Sequence, residues 1–125
     1  MIDHVSLTVS DFARARAFYA AALAPLGVTV LSEVKESGAV PYAGLGKDRP
    51  AFWIAEGAPT SGPLHVAFTA ATRAEVDAFH AAALAAGGRD NGAPGVRPHY
   101  HPNYYGAFML DADGVNVEAV CHAPA

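Results

Sequence analysis

His4-Val5-Ser6-Leu7-Thr8 recurs 61 residues later as His65-Val66-Ala67-Phe68-Thr69. The segment 18–24, Phe-Tyr-Ala-Ala-Ala-Leu-Ala, recurs at the same spacing as 79–85, Phe-His-Ala-Ala-Ala-Leu-Ala. A repeat of this length is typical of one supersecondary unit packed on a copy of itself. Because each copy opens with a histidine, we expect two equivalent histidines to meet at the pseudo-symmetry axis, where a metal ion would sit.

Each copy has the pattern of a strand followed by a helix and more strands. Residues 2–9 alternate between an apolar and a polar row, which predicts a strand with one buried face. Ser10 and Asp11 are favourable caps for a helix that ends near Gly27. The predicted helices cover 12–24 and 73–86, and the predicted strands cover 2–9, 28–34, 40–45, 51–55, 64–70, 107–110 and 115–120.

The copies divide the chain into two modules of one domain. Module one spans 1–56, a Gly/Pro-rich linker spans 57–63, and module two spans 64–121. In module two, the Gly, Pro, His and Tyr residues of 91–106 favour a loop, and the middle strand is the least defined. The pattern predicts an α+β fold of two pseudo-symmetric βαβββ modules. The polar rows of the two modules would face each other and line a ligand cavity.

Composition narrows the class of protein. The chain has 125 residues, a net charge of −4 and no basic stripe, which disfavours nucleic acid as a partner. Its longest apolar run is interrupted by Pro25 and Gly27 and is too poor for a membrane span. The N-terminus lacks the pattern of a secretory signal, and the single Cys121 cannot form an internal disulfide, so we expect a cytoplasmic protein.

A carboxylate joins the two histidines in the pattern. Glu118 lies in an alternating apolar segment, 115–120, and faces the same way as Asn116. A carboxylate inside an apolar strand is costly unless it is paired or coordinated. His4, His65 and Glu118 form a two-histidine, one-carboxylate set that suits one divalent ion of Fe, Mn, Co, Ni or Zn.

These motifs resemble the vicinal oxygen chelate superfamily, which includes glyoxalase I, extradiol dioxygenases, fosfomycin-resistance and bleomycin-binding proteins. The resemblance rests on the segments 3–5, 64–66 and 111–118, and it spans essentially the whole chain. It implies paired βαβββ modules on a cup-shaped mixed sheet with helices on the outer face, often in a homodimer. It also implies metal ligands at His4, His65 and Glu118.

The position opposite Glu118 in the first copy separates the family members. Trp53 stands there, where glyoxalase I places a glutamate ligand, so the resemblance disfavours classical glyoxalase activity. The fosfomycin-resistance proteins share the order His, Trp, His, Glu, but their potassium-binding loop has no counterpart here. Extradiol dioxygenases share the metal triad, although their tyrosine ten residues before the ligand glutamate is Phe108 in this chain.

The segment 97–105 places histidines and tyrosines where the cavity mouth is expected. Histidine moves protons near neutral pH, and tyrosine can hydrogen-bond an oxyanion. Equally, the segment could be a surface loop whose aromatic side chains seal a dimer contact. The candidate catalytic residues are His99, His101 and Tyr105, and the candidate substrate-binding residues are Trp53, Tyr104 and Asn116.

The sequence therefore predicts a metal-dependent enzyme that chelates vicinal oxygens of a small-molecule substrate and stabilises an enolate or oxyanion. Isomerase, lyase and oxygenase chemistry stay open. The alternative is a metal-free protein that binds a drug or other small ligand, as the bleomycin-resistance proteins do.

Overall fold

The computed structural model describes residues 1–34 and 36–125. Their chain order matches the prediction of two strand–helix–strand–strand–strand modules. The first module contains β1 (Val5–Val9), α1 (Phe12–Leu23), β2 (Thr29–Val34), β3 (Tyr42–Gly46) and β4 (Pro50–Glu56). The second contains β5 (His65–Thr69), α2 (Arg73–Ala85), β6 (Arg89–Val96), β7 (Tyr105–Leu110) and β8 (Asn116–Cys121).

Each module forms its own four-stranded mixed sheet. The strand orders are β1-β4-β3-β2 and β5-β8-β7-β6, so β1 and β5 occupy equivalent edges. In both sheets the first strand runs parallel to the last, and the other neighbours are antiparallel. The α+β class and the paired βαβββ modules are confirmed.

The predicted helix boundaries follow local chemistry. The Asp11 side chain accepts a hydrogen bond from the Arg14 amide and caps α1, as predicted. A 3-10 turn, Ala24–Leu26, extends α1, and Gly27 then takes the left-handed conformation at φ +80°. At α2, Thr72 accepts a hydrogen bond from the Glu75 amide.

The sequence did not locate one strand of the second module. β6 covers Arg89–Val96 and overlaps the segment 91–106 that was expected to be a loop. Its pairing with β7 shifts register twice, between Asp90 and Gly92 and between Gly92 and Gly95. These irregularities remove the period-two alternation by which a strand is recognised in sequence.

The helices cover one face of each sheet and bring the modules together. One apolar core runs through both modules, and Phe52 of β4 meets Phe68 of β5 with ring centroids 5.1 Å apart. A buried hydrogen bond of 2.5 Å from the Tyr19 hydroxyl to Asp111 links α1 to the β7–β8 turn. The polar rows lie on the opposite faces, away from this core.

The expected cavity between the two polar rows is therefore wrong for a single chain. The residues of both rows, His4, Ser6 and Thr8 in one and His65, Ala67 and Thr69 in the other, are exposed. Packing of both apolar faces against the helices turns the polar faces outward instead of toward each other.

No helix among the described residues is long and apolar enough to cross a membrane.

Candidate functional site

The strand registers make Trp53 and Glu118 structural equivalents. Trp53 lies opposite Ser6 of β1, and Glu118 lies opposite Ala67 of β5. Ser6 and Ala67 occupy the same place in the two repeats. The sequence alignment of Trp53 with Glu118 is thus confirmed at the level of pairing.

Glu118 is the charged centre of the second module. Its side chain is fully buried on the central strand β8, yet its carboxylate faces the sheet surface that carries His65. One oxygen, Oε1, lies 2.8 Å from Nε2 of His65, and the other, Oε2, accepts a hydrogen bond from the Tyr104 hydroxyl. Both oxygens have a partner, which offsets the cost of burying the carboxylate.

A pocket of about 420 Å³ opens above this carboxylate. Burial, and then the hydrogen bond to Glu118, raises the pKa of the Tyr104 hydroxyl above its ordinary value of 10.0. The hydroxyl therefore stays protonated at neutral pH and acts as a donor. The pocket is lined by His65, Tyr100, Tyr104, Phe108 and Glu118.

The first module carries a separate pocket of about 300 Å³ beside His4. Nδ1 of His4 lies 2.7 Å from a carboxylate oxygen of Asp3. The hydrogen bond from His4, followed by the charge of Arg49, lowers the pKa of the Asp3 carboxyl. A carboxylate on Nδ1 favours the tautomer that leaves Nε2 free as a lone-pair donor, an arrangement common at metal-binding histidines.

The two pockets have no residue in common. Tyr42 and Trp53 line the His4 pocket, with ring centroids 6.0 Å apart, and neither touches the Glu118 pocket. Across residues 1–34 and 36–125, no three histidine, cysteine or acidic side chains come together as a metal-binding group. The structure thus joins His65 to Glu118 but keeps His4 apart within one chain.

Tyr104, just before β7, and Tyr105, its first residue, point to opposite faces of the second sheet. Tyr104 reaches Glu118, whereas Tyr105 donates a hydrogen bond of 2.6 Å to Asp77 on α2 and stacks against Arg73. Tyr105 therefore lies on the helix-covered face, away from the Glu118 pocket in which a catalytic role was expected. A shift of one residue along a strand exchanges the two faces.

The other predicted residues lie around the pocket and not in its lining. The ring centroids of His99 and Tyr100 lie 4.1 Å apart in a tilted contact, and Nδ1 of His101 accepts a hydrogen bond from the Asn103 amide. Asn116 accepts a hydrogen bond of 3.2 Å from the Asn91 side chain. The polar atoms in these hydrogen bonds are therefore satisfied by protein partners and need no ligand.

Three aromatic side chains of the pockets, Tyr42, Tyr100 and Phe108, were not among the predicted site residues. Tyr100 sits at the mouth of the Glu118 pocket with 61% of its surface exposed. Tyr42 sits beside Trp53, where Gly44 leaves room because a Cβ there would lie 2.6 Å from the indole ring. The Gly44–Trp53 pairing depends on the register between β3 and β4, and the glycine within a strand was the local signal for it.

Known proteins support the same fold. The chain shares 27% identity with a glyoxalase/bleomycin resistance protein from Albidiferax ferrireducens, at a TM-score of 0.71 over 95% of this chain and 96% of that one. A family enzyme from Burkholderia phytofirmans gives 20% identity and a TM-score of 0.73, with 98% of each chain covered. The fold also matches a glyoxalase I mutant from Zea mays, at 24% identity and a TM-score of 0.71, over 95% of this chain and 46% of the maize chain.

No curated protein sequence matches the chain at a significant level. The family model described as the Glyoxalase/Bleomycin resistance protein/Dioxygenase superfamily matches residues 1–119, nearly the whole chain. This match agrees with the paired modules, the equivalent strand registers and the facing positions of His65 and Glu118. The chain belongs to the glyoxalase/bleomycin resistance protein/dioxygenase superfamily.

Proposed function

We propose that the protein is a divalent-metal-dependent enzyme that acts on a small molecule with vicinal oxygens. The observation that carries this proposal is the fully buried Glu118 carboxylate, held at the floor of a pocket against the Nε2 atom of His65. Burying a carboxylate costs free energy unless it is paired or coordinated. A carboxylate beside an imidazole nitrogen commonly serves in proteins as two ligands of one metal ion.

The donor set fits a transition metal. His65 Nε2 and Glu118 Oε1 lie 2.8 Å apart, close enough for one ion to take both as donors in place of their hydrogen bond. His4 supplies a third donor of matching type, because Asp3 occupies Nδ1 and leaves Nε2 free. A bound divalent ion would polarise the substrate oxygens as a Lewis acid and stabilise negative charge as it develops.

The third donor comes, in this proposal, from a second copy of the chain. The half-site of His4 and Trp53 and the half-site of His65 and Glu118 both lie on outward faces of their sheets. His4 immediately precedes β1 and His65 opens β5, and both strands are edges of their sheets. Part of the β1 edge is covered by the linker, where Thr60 exchanges hydrogen bonds with the Thr8 backbone. A two-fold pair would set the first half-site of each chain against the second half-site of the other.

The remaining pocket residues would bind and orient the substrate. Trp53 and Phe108 offer apolar walls, and Trp53 can neither ligate a metal nor accept a proton. Tyr104 donates its hydroxyl to Glu118, and Tyr100 lies at the entrance. This set favours isomerase, lyase or oxygenase chemistry without a second protein carboxylate, and disfavours classical glyoxalase I activity.

The second candidate function is metal-free binding of a small, mainly apolar ligand. One observation favours it: both oxygens of Glu118 already have protein partners, His65 and Tyr104. In that case the aromatic pocket would hold the ligand and Glu118 would serve the local hydrogen-bond network. The two candidates differ in whether the protein takes up metal.

For either function we propose a cytoplasmic location, which the single buried Cys121 favours.

Elemental analysis separates these candidates. Protein purified without an affinity tag or chelator should contain about one transition-metal ion per chain, as a single site of this donor type would hold. His65→Ala and Glu118→Ala should lose that metal. His80→Ala is a matched control, because His80 pairs with Asp90 on the α2 side of the second sheet. A wild-type protein that neither contains nor takes up metal would contradict the enzyme proposal and favour metal-free ligand binding.

A further inference from the structure

Tyr104 immediately precedes β7 and is contacted at both its ring and its backbone. Its neighbours are Tyr100 and His122, whose ring centroids lie 5.0 and 5.2 Å away in edge-to-face contacts. Its backbone N–H donates to the His101 carbonyl at 3.1 Å, and its carbonyl accepts from the Arg97 N–H at 2.7 Å. A side chain fixed at both its backbone and its ring presents its hydroxyl at a defined point.

That point is Oε2 of Glu118. A glycine gives this contact room, because a Cβ on Gly106 would crowd both groups, at 3.0 Å from Oε2 and 3.1 Å from the Tyr104 ring. The strand therefore leaves open the space through which the hydroxyl and the carboxylate meet. With Oε2 held by Tyr104, the other oxygen, Oε1, faces His65.

We propose that Tyr104 is a positioning residue, whose hydroxyl fixes the rotation of the Glu118 carboxylate so that Oε1 stands ready as a metal donor beside His65. The inference rests on the proposed metal site and deepens it. Groups that hydrogen-bond a metal ligand set its orientation, and their loss commonly weakens metal binding about tenfold to a hundredfold.

The neighbouring tyrosine provides a matched control. Tyr105 is adjacent in sequence and also donates to a carboxylate, but that carboxylate is Asp77 on the opposite face of the sheet. Tyr104→Phe and Tyr105→Phe each remove one hydroxyl and keep the ring. Only the first removes a hydrogen bond from Glu118.

The test is titration of chelator-stripped protein with Co²⁺, followed by calorimetry and by the visible absorption of the bound ion. Tyr104→Phe should weaken Co²⁺ binding by about tenfold to a hundredfold and alter the absorption bands, while Tyr105→Phe should stay within about threefold of wild type. Equal affinity and identical bands for wild type and Tyr104→Phe would overturn the inference and leave the metal site standing. Absence of Co²⁺ binding by the wild type would overturn the metal site and this inference together.

A second measurement needs no metal. Thermal unfolding is measured for four metal-stripped proteins: the wild type, Tyr104→Phe, Glu118→Ala, which leaves no acceptor for the Tyr104 hydroxyl, and the double variant. The four values form a double-mutant cycle. If the hydroxyl acts through Glu118, the effect of Tyr104→Phe on the melting temperature should shrink once Glu118 is replaced. Full additivity of the two single effects would contradict the assignment.

Discussion

Tyr19 illustrates how one residue joins the two modules. Its hydroxyl is buried and donates at 2.5 Å to Asp111, which also accepts from the amides of Asp113 and Val115. This contact ties α1 of the first module to the hairpin turn of the second. Burial, followed by the charge of Asp111, raises the pKa of the Tyr19 hydroxyl above 10.0.

Tyr19→Phe should lower the free energy of unfolding by about 1–3 kcal/mol, because Asp111 loses a buried donor. Tyr19 has a higher pKa folded than unfolded, so its contribution is complete below pH 10 and declines as the pH rises further. Urea unfolding at pH 7 and above pH 10 should therefore show a smaller difference between wild type and variant at the higher pH. Tyr42→Phe, at a partly exposed residue, is the control; a constant difference across pH would contradict this account.

At the same scale, alternation in the sequence identified part of the site. It predicted that His65 and Glu118 share a face, and their side chains lie 2.8 Å apart. It could not decide between Tyr104 and Tyr105, because the beginning of β7 was not defined by the Gly- and Pro-rich segment before it. The face of a strand residue depends on register, and register here is set by pairing with β8.

At the scale of elements, α2 depends on its N-terminal cap. Thr72 accepts from the Glu75 amide at 3.1 Å, and the Glu75 carboxylate accepts from the Ala71 amide at 2.7 Å. The two bonds satisfy amides at the helix start that have no partner within the helix. α2 in turn packs on the sheet that carries Glu118, so the cap supports the site indirectly.

Thr72→Ala should cost about 1 kcal/mol of folding stability, while Thr72→Ser should recover most of it, since serine caps equally well. Chemical denaturation of the three proteins measures the effect. Equal stability of Thr72→Ala and wild type would show that the cap contributes nothing to α2.

Helices and strands were predicted correctly where a local sequence signal, such as a cap or an alternating pattern, marked them. They were missed where no such signal was present. The cap at Asp11 and the left-handed Gly27 marked the two ends of the first helix. β6 lost its alternation to two register shifts, so its residues 91–96 were taken for part of a loop. A strand that is held by backbone hydrogen bonds to its neighbour can form without an alternating pattern of apolar and polar side chains.

At the scale of the whole molecule, the arrangement of the modules could not be predicted from either copy. The repeat predicted two equivalent sheets, and both are present. Whether their polar faces meet within one chain depends on packing between α1, α2 and the Phe52–Phe68 contact, which involves residues distant in sequence. That packing turns both half-sites outward, which is the basis for proposing a two-chain site.

A heterodimer of two defective chains tests the two-chain site most directly. His4→Ala and Glu118→Ala chains, carrying different affinity tags, would be co-expressed and the mixed pair purified. In the mixed pair one site combines both defects, whereas the other combines the intact His4 of one chain with the intact His65 and Glu118 of its partner. The account predicts about one metal ion per mixed pair and little in either pure variant. A mixed pair without metal, beside a wild type that binds it, would contradict the account.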